Sequence, residues 1–161
     1  MKGPIYFEKG WRISVGIVLF NKHKQIFMGE RIDNKGAWQM PQGGVNILKN
    51  EQLKDAALRE LLEETGIYEA RIVSESKDWH YYHLPENLRK KLWGGKFIGQ
   101  KQKWFLLEFE GSDKDINIKS NKKPEFCSWK WVEASKVCNQ IIKFKKEIYQ
   151  KVLKEFRFIS I

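Results

Sequence analysis

The sequence predicts an α/β fold, because segments with strand-like and helix-like hydrophobic patterns alternate along its 161 residues. Residues 15–20 are apolar and rich in β-branched side chains, as in a buried strand. Residues 51–65 and 141–158 instead repeat apolar side chains at the spacing of one helix face. No internal repeat, low-complexity tract or Pro/Gly-rich linker separates these segments, so we expect a single domain over residues 1–161.

Shorter patterns predict the remaining strands. Residues 25–28 come after the polar turn 21–24 and are expected to form a hairpin with the first strand. Residues 37–44 contain Pro41 and two glycines and are therefore predicted to be a turn or a loop. The other predicted elements are strands at 71–76, 79–83, 104–109 and 128–132, and a short helix at 86–92 after Pro85.

Both predicted helices carry an apolar stripe, and the first also has end signals. Asn50 is a suitable N-cap for it, and Gly66 is a natural stop after Thr65. The second helix has basic residues around its stripe. The stripes are Leu53, Ala57, Leu58, Leu61 and Leu62 in the first helix, and Ile141, Phe144, Ile148, Val152 and Phe156 in the second.

The net charge of +10 is unevenly distributed along the chain. Residues 1–70 hold ten basic and nine acidic residues, whereas residues 71–161 hold 20 and 11, a balance of +9. A basic half of this kind favours a polyanionic partner such as nucleic acid. The alternative is a lysine-rich surface without a partner, since 24 of the 30 basic residues are lysine. Charge alone does not decide between the two.

Composition also bears on where the chain acts. No apolar run approaches the roughly 20 residues that span a bilayer, and the N-terminus lacks a signal-peptide pattern. Cys127 and Cys138 are too few for a disulfide scaffold and lack zinc-ligand spacing. We therefore expect a cytoplasmic protein with reduced thiols and no membrane partner.

The sharpest chemical feature is a set of three glutamates on the first helix. Glu60, Glu63 and Glu64 stand at i, i+3 and i+4, so they share one helical face and repel each other. A divalent cation such as Mg²⁺ or Mn²⁺ would remove that conflict, because such ions prefer carboxylate oxygens. The alternative is a solvated acidic face with Arg59 paired to Glu63. The preceding glycines favour the cation, since the backbone amides of residues 43–44 can approach phosphate oxygens.

These residues resemble the Nudix box, G-x5-E-x7-R-E-U-x-E-E-x-G-U, in which U is aliphatic. Every fixed position from Glu51 to Ile67 matches. Seven residues separate Gly43 from Glu51 where the pattern has five, which indicates a two-residue insertion in the loop. The sequence is thus identified as similar to the Nudix hydrolases, and the resemblance implies an α/β/α sandwich with a mixed sheet.

Other motifs extend the resemblance, in the same order, to bacterial RNA pyrophosphohydrolases of that family. It implies an enzyme that converts 5′-triphosphate RNA ends to 5′-monophosphates by metal-dependent attack of water, which triggers RNA decay. The alternatives are a dinucleoside polyphosphate (Ap4A-type) hydrolase and an inactive nucleotide- or RNA-binding module with its site spoiled by the longer loop. We expect a monomer that does not bind DNA duplexes. The motifs lie at residues 11–18, 38–44, 92–93, 99–106, 115–118, 124–126 and 144–149.

The resemblance also implies roles for individual residues. Glu60, Glu63, Glu64 and Glu125 would hold the metal, and either Glu60 or Glu125 would accept the proton from water. Glu64 belongs with them to the catalytic set, while Glu51 and Arg59 would brace the helix. Substrate would be bound by Arg12, Gly43, Gly44, Lys101, Lys103, Phe144 and Lys145, with Gln100 and Gln102 as weaker candidates.

Three of these assignments have plain structural alternatives. Glu125 could be an ordinary loop glutamate, Arg12 a surface charge at a strand edge, and Phe144 part of the core. Counting back from Trp38, Ile32 occupies the position of one nucleotide-contact arginine of the family, with Arg31 next to it. The seven tryptophans are assigned to the core or to cleft walls, and none is expected to stack on a base.

Overall fold

The computed structural model describes residues 5–139, 141 and 143–159, without the side chains of Lys143 and Phe144. Its strands are β1 (Trp11–Phe20), β2 (Ile26–Arg31), β3 (Trp38–Gln39), β4 (Gln42–Gly44), β5 (Ala70–Glu75), β6 (His80–His83), β7 (Gly99–Phe109) and β8 (Phe126–Val132). Its helices are α1 (Leu53–Thr65), α2 (Glu86–Arg89), α3 (Ala134–Val137) and α4 (Lys143–Glu155). None of the helices in the described part of the chain is both long and apolar enough to cross a bilayer.

Strand β1 organises a mixed sheet of eight strands. It runs parallel to β7 along its whole length, from the pair Trp11 and Gly99 to the pair Phe20 and Glu108. On its other side it pairs antiparallel with β2 at one end and with β4 at the other. Strands β5 and β6 extend the sheet beyond β7, and β3 and β8 extend it beyond β2. The predicted mixed sheet is confirmed.

Two hydrophobic clusters cover the two faces of this sheet. One contains Val18 and Phe20 of β1 and packs against α4 through residues such as Tyr149. The other contains Ile17 and Leu19, the alternate residues of the same strand, and packs against α1. The sheet therefore lies between helices on both sides, which confirms the predicted α/β/α sandwich.

Differences from the predicted strands arise where polar residues are buried. Strand β7 begins at Gly99 rather than at residue 104, because Gln100 and Gln102 are buried although they are polar. The prediction of a turn or loop over residues 37–44 was wrong: β3 and β4 lie on either side of Pro41. The pairing of β4 with β1 brings the two glycines onto the sheet.

The start of α1 also differs from the prediction, and its end does not. The N-cap is Gln52, not Asn50, because the inserted residues form their own 3-10 turn over Ile47–Lys49. Asn50 closes that turn with φ at 55°, a left-handed conformation that asparagine tolerates better than most residues. Gly66 ends the helix as predicted, with φ at 72°.

The buried face of α1 was predicted only in part. Leu58 and Leu62 are 38% and 46% exposed, so they do not belong to the core. The helix instead turns Ala57, Leu61 and Glu64 inward, which stand at i, i+4 and i+7. One of the three glutamates therefore shares the apolar face that was expected to lie opposite them.

Helix α4 packs mainly as its stripe predicts. Ile148 and Val152 are buried in the cluster on that face of the sheet. The helix also buries Lys145, which is only 5% exposed. The side chain of Phe144 lies outside the described residues, so its predicted core or stacking role stays a prediction.

Candidate active site

The two-residue insertion before Glu51 does not move the glycines at residues 43–44 away from helix α1. The backbone amide of Asn46 donates to Glu51 Oε1 at 2.9 Å, and the amide of Glu51 donates to the Asn46 carbonyl at 3.1 Å. These bonds close the extra turn, so it projects from the fold without displacing its neighbours. Gly43 remains so close to Glu60 that a Cβ there would overlap the carboxyl group of this glutamate. Only glycine fits between strand β4 and Glu60.

Arg59 ties the loop and the helix together. Its guanidinium donates to both carboxylate oxygens of Glu51, at 2.7 and 2.9 Å, and to the Gly44 carbonyl at 2.8 Å. It also reaches Glu60 at 2.8 Å and Glu63 at 3.3 Å. The hydrogen bonds from Arg59 hold the pKa of Glu51 below its usual value. The ion pair with Glu51 and the alternative pair with Glu63 therefore coexist, and the first has the better geometry.

The three glutamates occupy different environments. Glu63 is 44% exposed, whereas Glu60 is 13% exposed and Glu64 is 5% exposed. Burial raises the pKa of Glu60, and the hydrogen bond from Arg59 opposes that rise. Burial raises the pKa of Glu64 well above its usual value, and the charges of Glu60 and Glu125 raise it further. A hydrogen bond to the backbone of Gln42 only partly offsets these effects.

Glu64 meets the chemical requirement for a cation ligand. Its Oε2 is buried and has no hydrogen-bond partner within the described residues. A buried carboxylate oxygen is stable when it is paired or coordinates a metal. Among residues 5–139, 141 and 143–159, no group of three His, Cys, Asp or Glu side chains could hold an ion in its present arrangement. The contacts of Arg59 with Glu60 and Glu63 account for part of that dispersal.

Arg12 lies at the glycine loop and not on an exposed strand edge. Its Nη1 donates to Gln100 Oε1 at 3.1 Å, and a Cβ on Gly44 would come within 2.5 Å of its Nη2. The ring of Trp93 covers the guanidinium, with 4.3 Å between Cζ and the ring centroid. Burial lowers the pKa of Arg12, and the charges of Tyr82 and of Glu60, Glu125 and Glu64 oppose that decrease. Arg12 therefore faces the same site as the glutamates.

Lys145 brings a second cation to this site from α4. Its Nζ donates to Gln39 Oε1 at 2.8 Å, and Arg31 Nη1 donates to the same oxygen at 3.1 Å. Burial lowers the pKa of Lys145 to about 7, the charge of Arg31 lowers it too, and Glu64 and Glu125 oppose the decrease. The buried Lys145 therefore loses its proton more readily than an exposed lysine does.

Arg31 lies next to Ile32, to which the alignment from Trp38 gave the position of a nucleotide-contact arginine. Ile32 is 54% exposed, while Arg31 contacts Gln39 and forms an ion pair with Asp33 at 2.6 Å. A guanidinium is therefore present in this part of the site.

Glu125 is exposed and lies directly before β8. Its backbone carbonyl accepts a hydrogen bond from the Ile32 amide at 2.9 Å, which holds it beside the end of β2. Its charge contributes to the pKa values of Arg12, Glu64 and Lys145. Its role as a metal ligand or proton acceptor stays a prediction.

A row of amide and phenol groups forms the floor of the site, and sequence reasoning largely missed it. Gln100 Nε2 donates to Tyr82 Oη at 2.7 Å, and Gln102 Nε2 donates to Gln42 Oε1 at 3.2 Å. Gln39 is also buried and holds Lys145. Buried polar residues on neighbouring strands are a signal of a site, but only the tertiary structure shows that they are buried together.

The structure does not bring the predicted residues Lys101 and Lys103 to the glutamates. Lys101 Nζ donates to the Tyr6 carbonyl at 2.8 Å, and Lys103 Nζ donates to the Lys77 carbonyl at 3.1 Å. Both ammonium groups lie over the ring of Trp79, at 5.0 and 5.5 Å from its centroid. Their contact with substrate stays a prediction.

Comparisons with known proteins agree with this architecture. A model of the NUDIX domain matches residues 10–156. The solved structure of the Escherichia coli dihydroneopterin triphosphate pyrophosphohydrolase is 19% identical, with a TM-score of 0.72 over 92% of this chain and 97% of that one. A Caenorhabditis elegans Ap4A hydrolase complex is 17% identical, with a TM-score of 0.62 over 91% of this chain and 99% of that one. These distant structures share the fold.

Closer relatives are found among curated bacterial proteins. The RNA pyrophosphohydrolase of Wolbachia pipientis subsp. Culex pipiens is 51% identical over 152 residues, which are 94% of this chain and 93% of the relative. The RNA pyrophosphohydrolase of Orientia tsutsugamushi is 48% identical over 152 residues, with coverage of 94% and 92%. The predicted resemblance is confirmed. With the domain match and these relatives, the chain belongs to the Nudix family of hydrolases.

Proposed function

We propose that this Nudix enzyme hydrolyses the 5′-triphosphate end of RNA and leaves a 5′-monophosphate, the first step in decay of that RNA. One observation carries the proposal: acidic and basic side chains from separate elements meet at strand β4, where Glu60 lies against Gly43 and Arg12 lies against Gly44. Arg12 and Lys145 both interact with the charges of Glu64 and Glu125. A polyphosphate chain with bound cations is the ligand that such a mixed site fits. The similar proteins are named RNA pyrophosphohydrolase, and that name supports an RNA end as the ligand.

Different groups of this chain are proposed to bind the phosphates and the nucleotide of this substrate. Arg12 and the backbone amide of Gly44 hold phosphate oxygens, and the first is already oriented by Gln100. The predicted role of the Gly43 amide is not retained, because Gly43 pairs with Val15 of β1 in the sheet. Lys145 and Arg31, which share Gln39 as an acceptor, lie where the adjoining nucleotide enters. Phe144 precedes Lys145 on α4 and is the proposed stacking partner of its base. Lys103 and Lys101 remain proposed contacts for the RNA outside the cleft.

Nudix hydrolases generally need a divalent metal, and the acidic side of the cleft fits one. Glu64, Glu60, Glu63 and Glu125 would hold Mg²⁺ or Mn²⁺, with the partnerless oxygen of Glu64 as the best-defined ligand within the described part of the chain. When bound, the ion supplies charge neutralisation on the phosphate chain and a more acidic water. Arg59 keeps Glu60 and Glu51 in place, so the carboxylates do not have to be ordered on binding.

Two carboxylates are placed to accept the proton of the attacking water. Glu60 is buried and already bonded to Arg59, whereas Glu125 is exposed and has greater freedom to approach substrate. Glu60→Gln and Glu125→Gln separate the two. Removal of the proton acceptor abolishes the rise of kcat with pH, while removal of a metal ligand shifts the metal concentration needed for half-maximal rate.

The Ap4A-type alternative uses the same groups. Apart from the proposed RNA contacts of Lys101 and Lys103, every contact assigned above is to phosphate or to one nucleotide, so a dinucleoside polyphosphate satisfies the site as well. The inactive-module alternative is disfavoured, because the closed turn at Asn46 and Glu51 leaves Gly43 against Glu60. We also propose a monomer and a cytoplasmic location, and the free thiols of Cys127 and Cys138 accord with the latter.

Product analysis tests the proposal. A short RNA with a 5′-triphosphate is incubated with the enzyme and Mg²⁺, alongside diadenosine tetraphosphate, and kcat/KM is compared. We expect 5′-monophosphate RNA, with the larger kcat/KM for RNA. A larger value for diadenosine tetraphosphate assigns the enzyme to the alternative. Absence of turnover on both, beside an active control enzyme, contradicts a hydrolytic function.

A further inference from the structure

A tryptophan on the loop between α2 and β7 covers the phosphate-binding arginine. Trp93 lies over Arg12, with the guanidinium carbon 4.3 Å from the ring centroid. Its side chain is nonetheless 39% exposed, in contrast to Trp104, which is completely buried in the core. Core packing therefore does not explain why a tryptophan stands at this position. A large aromatic side chain is costly to expose at the surface.

The backbone of this loop is in an unusual conformation. Trp93, Gly94 and Gly95 have φ values of 47°, 66° and 72°, so three consecutive residues are left-handed. Glycine adopts this region freely, but a residue with a Cβ does so at a steric cost. The edge-on contact of the Trp93 ring with Phe97, at 6.1 Å between centroids, helps to hold the conformation. Backbone strain of this kind is found where the surroundings fix a side chain for function.

The contacts of Arg12 explain what the ring does there. The guanidinium donates hydrogen bonds in its own plane, and one of its edges is bonded to Gln100. The tryptophan instead occupies the face of that plane, which attracts the cation and competes with no donor. Gly44 packs against the same guanidinium, since a Cβ at this position would come within 2.5 Å of Nη2. The remaining N–H groups are thus available to bind a phosphate oxygen.

We infer that Trp93 is a positioning residue for Arg12: it orients the guanidinium toward the phosphate chain and keeps water from one of its faces. This rests on the proposed function only in that Arg12 binds phosphate. Because Trp93 acts through Arg12, its effect extends to every polyphosphate that the cleft accepts. A tryptophan that stacked on an RNA base would instead affect RNA alone.

Steady-state kinetics of Trp93→Ala and Trp93→Phe test the inference on 5′-triphosphate RNA and on diadenosine tetraphosphate. We expect Trp93→Ala to raise KM by about tenfold on both substrates with little change in kcat, because uniform phosphate binding is weakened. Trp93→Phe should restore most of the affinity, since a ring remains. Leu92→Ala is the matched control on the same loop and should leave KM within about twofold.

The double variant Arg12→Ala/Trp93→Ala separates positioning from a direct role. If Trp93 acts only through Arg12, the second substitution adds almost nothing to the first. A tenfold additional loss in the Arg12→Ala background, or an effect confined to RNA, overturns the inference. So does an unchanged KM in Trp93→Ala.

One measurement does not depend on turnover. The Arg12 Nε–H resonance in the complete protein is shifted by the ring current of an indole above it. We expect that shift to disappear in Trp93→Leu and to persist in Trp93→Phe. A resonance that is identical in the wild type and in Trp93→Leu contradicts the stacked geometry. If RNA is not cleaved, this result and the diadenosine tetraphosphate kinetics still decide the role of Trp93.

Discussion

The two sides of the cleft are built in different ways. The acidic side, Glu60 and Glu64, comes from two turns of one helix, and Arg59 beside them fixes its geometry. The basic side, Arg12, Arg31 and Lys145, comes from β1, β2 and α4, which are far apart in the sequence. A local pattern is therefore enough to encode the first, whereas the second exists only once the sheet and α4 have packed.

Burial shifts the pKa values of the acidic and the basic groups in opposite directions. It raises the pKa of Glu64 well above its usual value and lowers that of Lys145 to about 7. Each group is costly to bury in its charged form, and each has a natural partner in the proposed substrate complex. The charged form of each group is therefore poorly compensated in the free enzyme, and a bound cation and a bound phosphate together would stabilise it.

Substitution of the buried glutamate on the acidic side should have the largest effect on turnover. Glu64→Gln keeps the shape of the side chain but removes its charge, so we expect turnover on triphosphate RNA to fall by at least about a thousandfold. Glu63→Gln, at the exposed neighbouring position, should lose far less. Thermal unfolding of both variants provides the control for folding. Equal losses in the two variants would contradict the special role of the buried position.

Breaking the basic side should change stability in a pH-dependent way. The pKa of Lys145 is about 7 in the folded protein and near the usual 10.5 when unfolded. The native state therefore disfavours its protonation, and this destabilisation is complete below about pH 7 and fades as the pH rises toward 10.5.

Lys145→Met should accordingly be more stable than the wild type near pH 6, by a margin that shrinks between about pH 7 and pH 10. Urea unfolding over that range measures it. Lys151→Met on the exposed side of α4, where the lysine is 60% exposed, is the matched control and should show no such trend. A constant difference between Lys145→Met and wild type across the range contradicts the burial argument.

Substitution of Arg59, which holds helix α1 to the glycine loop, should have an intermediate effect on the rate and a small effect on the free energy of unfolding. Arg59→Lys keeps the charge but loses the paired bonds to Glu51, so we expect about a tenfold loss of kcat/KM and about 1 kcal/mol of unfolding free energy. Arg71→Lys, in an exposed pair with Glu108, is the comparison and should change neither. Retention of full activity in Arg59→Lys would show that the acidic side needs no brace.

The smallest effect is expected outside the cleft. If Lys103 contacts an RNA phosphate, Lys103→Ala should reduce the slope of log affinity against log salt by about 0.7. Lys54→Ala, an exposed lysine of the nearly neutral first 70 residues, should leave the slope unchanged. Equal slopes for wild type and Lys103→Ala would favour a lysine-rich surface over an RNA contact.

Hydrophobic periodicity predicted the α/β class and most elements, because that periodicity is local, whereas the mixed sheet and the sandwich were implied by the resemblance to the Nudix hydrolases. The prediction failed at β3 and β4, where Pro41 and the glycines suggested only a loop but sheet pairing overrode that preference. It also failed at the start of α1, where Asn50 closes an inserted turn instead of capping the helix.

The candidate site, like the fold, was predicted only in part. The glutamates of α1 follow from spacing, and the resemblance added Arg12, Glu125 and Lys145, whose roles at the site stay predictions. The resemblance assigned no role to Arg31, and its contact with Gln39 becomes known only from the structure. The role of Gln39 as an acceptor for two cations could not be foreseen, since an isolated glutamine carries no signal until its burial is known.

Calorimetric titration of the free enzyme with Mn²⁺, for the wild type and for Glu64→Gln, decides whether the buried carboxylate of α1 holds the ion. We expect the wild type to bind Mn²⁺ and the substitution to weaken this binding by at least about tenfold while the variant stays folded. Equal affinity in the two proteins would be incompatible with the proposed site, because the ion would then be held by other groups.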